Sequence, residues 1–204
     1  MGLPRVHLIT DRRLVPDLAA AVRRVLAGLP PGAVAVHLRE KELSGAALLE
    51  LARALAGACR EAGQLLLVND RLDVALAAGA DGAHLPSAGI PPGEARHLLG
   101  PGKLLGVSCH SEAEVDRARA GGADYATFGP VFDTPSKRAL GGPVGLPALA
   151  RASARGLPLV GLGGIDPGNA AAVLGSGAAG VAAIRAWLTG PDPAAAVRAL
   201  LAPA

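Results

Sequence analysis

Eight times along its 204 residues this chain alternates a short apolar run with a longer stretch of helical pattern rich in Ala, Leu and Arg. The runs cover residues 6–10, 33–39, 64–69, 82–85, 103–108, 125–129, 158–161 and 180–184. The helical patterns fall at 17–29, 45–62, 71–78, 92–99, 112–120, 146–154, 169–174 and 193–201. Ser44, Ser111 and Asp166 stand at N-cap positions, and Gly63, Gly79 and Gly121 stand where helices stop. Strands separated by helices pair in parallel, with the crossovers burying both faces of the sheet. The pattern therefore predicts an α/β fold, a single (β/α)8 TIM barrel over residues 1–204. An open doubly wound sheet is the alternative. Its Gly-rich nucleotide signature is missing after the first run, which continues Thr10-Asp11-Arg12-Arg13.

Composition narrows the chemistry. Half of the residues are hydrophobic but only 2% are aromatic, so the core must be built from Ala, Val, Leu and Ile. The net charge of +3 is not gathered into a basic cluster interleaved with aromatics, which argues against a nucleic-acid partner. No apolar run reaches the ~18 residues of a membrane span and no leader pattern precedes the first strand, so a cytoplasmic location is expected. The two cysteines, Cys59 and Cys109, have neither metal spacing nor a disulfide framework.

In such barrels the reacting groups sit at the C-terminal ends of the strands. At the second strand, alternation puts His37, Arg39 and Lys41 on one face. That many cationic or titratable groups in a barrel mouth call for an anionic partner, unless Arg39 simply pairs with Glu40. The third strand ends at Asn69-Asp70, where Asp70 could hold Mg²⁺ or cap the next helix. The fifth carries Ser108 and His110 at a spacing that turns both to one face. Imidazole titrates near ~6.5, so His110 is the candidate acid–base group. A Ser–His nucleophile pair is the weaker reading, since no orienting carboxylate is evident. After the sixth strand, Thr134, Ser136 and Lys137 precede Gly141-Gly142 in a loop suited to close on a phosphate or diphosphate. Gly163 and Gly164, with a helix opening at Asp166-Pro167, and then Ile184 and Arg185, form two backbone cradles for a phosphate.

Taken in order, Val36-His37-Leu38-Arg39-Glu40-Lys41, Val68-Asn69-Asp70-Arg71, Asp81-Gly82-Ala83-His84-Leu85, Gly106-Val107-Ser108-Cys109-His110, Ala123-Asp124-Tyr125 with Gly129-Pro130-Val131-Phe132, and Gly161-Leu162-Gly163-Gly164-Ile165 resemble the thiamin phosphate synthase superfamily across nearly the whole chain. The resemblance implies one of two activities. Synthases join a hydroxymethylpyrimidine diphosphate to a thiazole phosphate with Mg²⁺ at the diphosphate. TenI-like thiazole tautomerases aromatise a carboxythiazole phosphate without metal.

This chain departs from the synthase pattern in three places. Gly89 stands where a metal-binding Asp is expected, His37 replaces a pyrimidine-gripping Gln, and Asp133 precedes the Thr134-Pro135-Ser136-Lys137 loop. These departures lead to the expectation of a thiazole tautomerase with no cofactor. On that reading His110 moves the proton and Arg39 or Lys41 holds the substrate carboxylate. Asn69, Ser108, Thr134 and Lys137 line the substrate, while Gly163, Gly164, Ile184 and Arg185 hold its phosphate. The alternative is a thiamin phosphate synthase using Mg²⁺ at Asp70. A barrel that binds such phosphates without turnover is a third reading. The implied partner is a small phosphorylated thiazole, in a homodimer of the kind that relatives commonly form.

Overall fold

The short apolar runs become strands that close on themselves. In a computed structural model, which describes residues 2–134 and 142–202, β1 (Val6–Ile9), β2 (Val34–Leu38), β3 (Leu65–Asn69), β4 (Gly82–Leu85), β5 (Leu104–Cys109), β6 (Tyr125–Phe128), β7 (Leu159–Leu162) and β8 (Gly180–Ala183) form a closed barrel in sequence order. All eight pairings are parallel, including β1 with β8, where Val6 stands opposite Val181. The α/β expectation of a single (β/α)8 TIM barrel is met.

The outer layer is α1 (Leu18–Leu26), α2 (Gly45–Glu61), α3 (Leu72–Ala77), α4 (Pro92–Leu99), α5 (Glu112–Ala120), α6 (Gly145–Ser153), α7 (Ala170–Gly175), α8 (Arg185–Leu188) and α9 (Pro193–Leu201). Ser44 and Ser111 cap α2 and α5, accepting from Ala47 N–H and Glu114 N–H. Asp166 does not cap α7. Its Oδ1 accepts from Gly168 N–H in a tight turn, and the helix begins only after Asn169. The four-residue α8 has too few residues to show a helical period, and the sequence reading passes over it.

Two apolar clusters follow from strand alternation. The larger lies between the strands and the helices. The smaller fills the barrel with Ile9, Ala35, Leu65, Leu67, Tyr125, Val160 and Ala182. Burying each Val or Leu side chain contributes about 1.5–3 kcal/mol, and the buried aromatics Tyr125, Phe128 and Trp187 are the largest side chains in an otherwise mostly aliphatic core. Trp187, 1% exposed on α8, locks the closure by donating Nε1–H to the carbonyl of Ile9, 3.1 Å away. The C-terminal strand ends thereby share one rim, where the candidate residues gather.

Candidate active site

Beneath the rim the barrel interior carries a chain of polar side chains in an otherwise apolar ring. His7 (0% exposed), His37 (1%) and His84 (4%) come from β1, β2 and β4, and Tyr125 (0%) from β6. An unpaired polar group here would cost about 1–3 kcal/mol, so each must find a partner. His7 Nε2 lies 3.0 Å from the Pro4 carbonyl and its Nδ1 lies 2.7 Å from His37 Nε2. The Tyr125 hydroxyl is 3.0 Å from His84 Nδ1 and 3.4 Å from His37 Nε2. His84 Nε2 reaches Ser108 Oγ at 3.0 Å and Thr127 Oγ1 at 3.3 Å. Burial pushes His7 down to about 4 and His84 to about 3, and holds His37 well below the usual imidazole range. All three rings are neutral at pH 7. His37 therefore belongs to this interior chain and does not join Arg39 and Lys41 at the mouth.

The rim between β1 and β2 is tied by a buried acid. Glu40, 4% exposed, accepts from Thr10 Oγ1 (2.5 Å) and from Arg12 N–H at both carboxylate oxygens (3.1 Å each). Thr10 Oγ1 in turn accepts from Arg39 N–H at 2.9 Å. Burial raises the Glu40 carboxyl above its ordinary range, against the opposing pull of the Thr10 and Arg12 hydrogen bonds. Glu40 thus does not neutralise Arg39 in a surface pair. Arg39 and Lys41 are exposed and make no ion pair among the described residues.

Asn69 ends β3 on the face shared with Leu65 and Leu67, half-buried and in register with His84. Asp70 follows at φ 66°, a left-handed backbone that costs a non-glycine residue about 1–2 kcal/mol. Its N–H donates to the His84 carbonyl at 2.9 Å. It does not cap the next helix, because Arg71 occupies the N-cap position of α3 without a side-chain bond. The Asp70 carboxylate is exposed and has no hydrogen-bond partner among the described residues.

Ser108 and His110 do not form a pair. Ser108, half-buried near the end of β5, contacts His84. His110 lies beyond the strand, exposed, with Nδ1–H donated to the Gly129 carbonyl at 2.6 Å and its backbone N–H to Glu114 at 2.5 Å. Cys109 between them is buried and its thiol is pushed up to about 12, so it is no nucleophile.

Gly163 (φ 105°) and Gly164 (φ 65°) are required by close approach of the loop after β6. A Cβ at Gly163 would sit 2.6 Å from Pro130 Cα, and one at Gly164 would sit 2.9 Å from the Asp133 carbonyl. Their carbonyls accept from Phe132 N–H and Asn169 Nδ2–H, whereas their N–H groups make no hydrogen bond among the described residues. The helix expected at Asp166-Pro167 is a turn instead. Ile184, half-buried, and Arg185, exposed, open α8 at the adjacent strand end. Thr134 is half-buried at the edge of the described segment, and Ser136 and Lys137 lie outside the described residues.

The interior chain is what sequence reasoning misses. A His or Tyr inside each of four apolar runs was the available signal, since a buried polar group implies a partner.

The matches to known proteins bear on the two activities. Residues 6–187 match the family described as "Thiamine monophosphate synthase". The thiamine-phosphate synthase of Moorella thermoacetica is 49% identical, over 88% of this chain and 84% of its own. That of Roseiflexus castenholzii is 44% identical, over 96% and 86%. A solved structure, the thiamine phosphate pyrophosphorylase from Pyrococcus furiosus, superposes with a TM-score of 0.85 at 34% identity, covering 96% and 93%. These relatives are named for the synthase activity, which overturns the expectation of a thiazole tautomerase. The synthase pattern runs the length of the chain, against three local departures. Gly89 in place of a second acid does not exclude Mg²⁺, which needs only one or two carboxylates when substrate phosphates and water complete its shell.

Proposed function

The chain belongs to the thiamine monophosphate synthase family, and we propose that it is a thiamine-phosphate synthase, joining hydroxymethylpyrimidine diphosphate to a thiazole phosphate. The thiazole ring nitrogen attacks the pyrimidine methylene carbon. A C–N bond forms as the C–O bond to diphosphate breaks, and diphosphate leaves with the electron pair. Besides the relatives, the observation that supports this reading is Asp70, an exposed carboxylate held at the rim in a costly backbone conformation, with no side-chain hydrogen bond among the described residues.

No group of three or more His, Cys, Asp or Glu is placed to hold a metal among the described residues. A cation there would depend on substrate oxygens, which suits Mg²⁺ with Asp70 as its one protein carboxylate. Mg²⁺ bound there would neutralise charge building on the departing diphosphate.

The remaining work falls to the chain itself. Arg39 and Lys41, exposed and in no ion pair among the described residues, supply positive charge for the diphosphate. The family resemblance adds Thr134, and Lys137 outside the described residues, as further diphosphate contacts. Asn69 and Ser108 present hydrogen-bonding groups to the ring substrates from the top of β3 and β5. The N–H groups of Gly163 and Gly164, with Ile184 and Arg185, bind the thiazole phosphate.

The test is incubation with the pyrimidine diphosphate, the thiazole phosphate and Mg²⁺. Thiamin phosphate should form, and chelator should stop it. Absence of product with both substrates and Mg²⁺ present would refute the reading.

A further inference from the structure

We propose that the buried polar chain fixes a single direction of hydrogen bonding through the barrel, so that Ser108 accepts from His84 and keeps its own proton to donate at the mouth. His84 and Tyr125 are then positioning residues for the synthase reaction, an inference that rests on the function proposed above.

The direction follows from one end. The Pro4 carbonyl can only accept, so His7 carries its proton on Nε2 and offers a lone pair at Nδ1. His37 Nε2, 2.7 Å away, must then be the donor to it. That proton leaves the Tyr125 oxygen facing an N–H at 3.4 Å, so the Tyr125 hydroxyl gives its own proton to His84 Nδ1 at 3.0 Å. His84 consequently bears hydrogen on Nε2 and donates to Ser108 Oγ at 3.0 Å, with Thr127 Oγ1 a longer second acceptor at 3.3 Å. Each step uses the one role left open by the step before. Neutral rings are the condition, and burial supplies it.

Gly106 is the second observation. A Cβ there would overlap the Tyr125 hydroxyl and His84 Nδ1, so the contact between them exists only because β5 carries no side chain at this point. Ser108 lies two residues on along the same strand, on the same face. One strand therefore makes room for the relay and also holds its last member.

The experiment is a double-mutant cycle on thiamin phosphate formation. Tyr125→Phe should lower kcat/KM about tenfold or more when Ser108 is present, and less than about twofold in the Ser108→Ala background. His84→Gln, which can still accept from Tyr125 and donate to Ser108, should retain most activity, whereas His84→Leu should not. Independently of turnover, ¹⁵N shifts of the His84 ring in the wild-type protein should show hydrogen on Nε2. Equal losses from Tyr125→Phe in both backgrounds, no loss in either, or a proton on His84 Nδ1 would overturn the inference. A wild-type protein that makes no thiamin phosphate would refute the proposed function instead, and the ring ¹⁵N shifts would still decide the hydrogen-bond direction.

Discussion

The barrel interior and its rim hold polar residues in opposite circumstances. Inside, His7, His37, His84 and Tyr125 consume one another's hydrogen-bonding capacity and are shut away from water. At the rim, Arg39, Lys41 and Asp70 are exposed and form no ion pair among the described residues. A satisfied buried network stabilises one arrangement of the strands, whereas exposed rim charges are accessible to a ligand. Polar residues deep in the ring thus serve geometry, and on the proposed function those at the rim serve binding.

The contrast is sharpest at Gly106. Gly106→Val would drive a side chain into Tyr125 and His84, so a loss of more than about 4 kcal/mol is expected. At roughly 2–4 °C per kcal/mol for a chain of this size, the melting temperature should fall by about 10 °C or the protein should not fold. Unchanged melting would mean that the interior is loose enough to accept a side chain.

Asp70→Asn should do the reverse. Activity with Mg²⁺ should fall about 100-fold, equivalent to about 2.7 kcal/mol of transition-state stabilisation. The melting temperature should move by less than about 2 °C, because the carboxylate is exposed and makes no hydrogen bond among the described residues. A large drop in melting with intact turnover would erase the distinction between the two regions.

Acid titration probes chiefly the three interior rings, with the raised carboxyl of Glu40 acting in the opposite direction. The folded-state values of His7 and His84 lie near 4 and 3, below the ~6.5 of an unfolded chain, and His37 shifts the same way. Between those limits the unfolded chain binds more protons, so stability is complete above about pH 6.5 and is lost as pH falls through this window. Each ring contributes a slope of up to about 1.4 kcal/mol per pH unit. Urea midpoints measured from pH 7 to pH 5 should fall. A flat profile would show that the rings are hydrated or charged in the folded protein.

The smallest effect belongs to His110. With its Nδ1–H tied to the Gly129 carbonyl on an exposed stretch, His110→Asn should reduce turnover less than about fivefold. A loss of 1,000-fold would place this imidazole in the reaction itself.

The architecture was legible because parallel strands buried on both faces read as uninterrupted apolar runs, and eight of them exhaust the chain. The rim residues Arg39, Asn69, Asp70 and Ser108 were legible because barrel strands end where their apolar runs end. The pairing of Ser108 with His84 was not. Spacing along one strand reports a shared face, but partners 24 residues apart meet only once β4 lies beside β5. Asp166 misled because an acid before Pro-Gly reads as a helix cap, whereas its side chain folds back onto Gly168. Nor does any local pattern report the left-handed backbone of Asp70.

The bond from Trp187 to the Ile9 carbonyl spans 178 positions of sequence. During synthesis, β1 leaves the ribosome first and waits for a neighbour that is made almost last. Until β8 and this indole emerge, β1 and β7 each present a free edge, the kind of surface on which chains aggregate. A nascent chain stalled before residue 180 would carry every rim residue from Arg39 to Gly164 and still have no ring to hold them in one place.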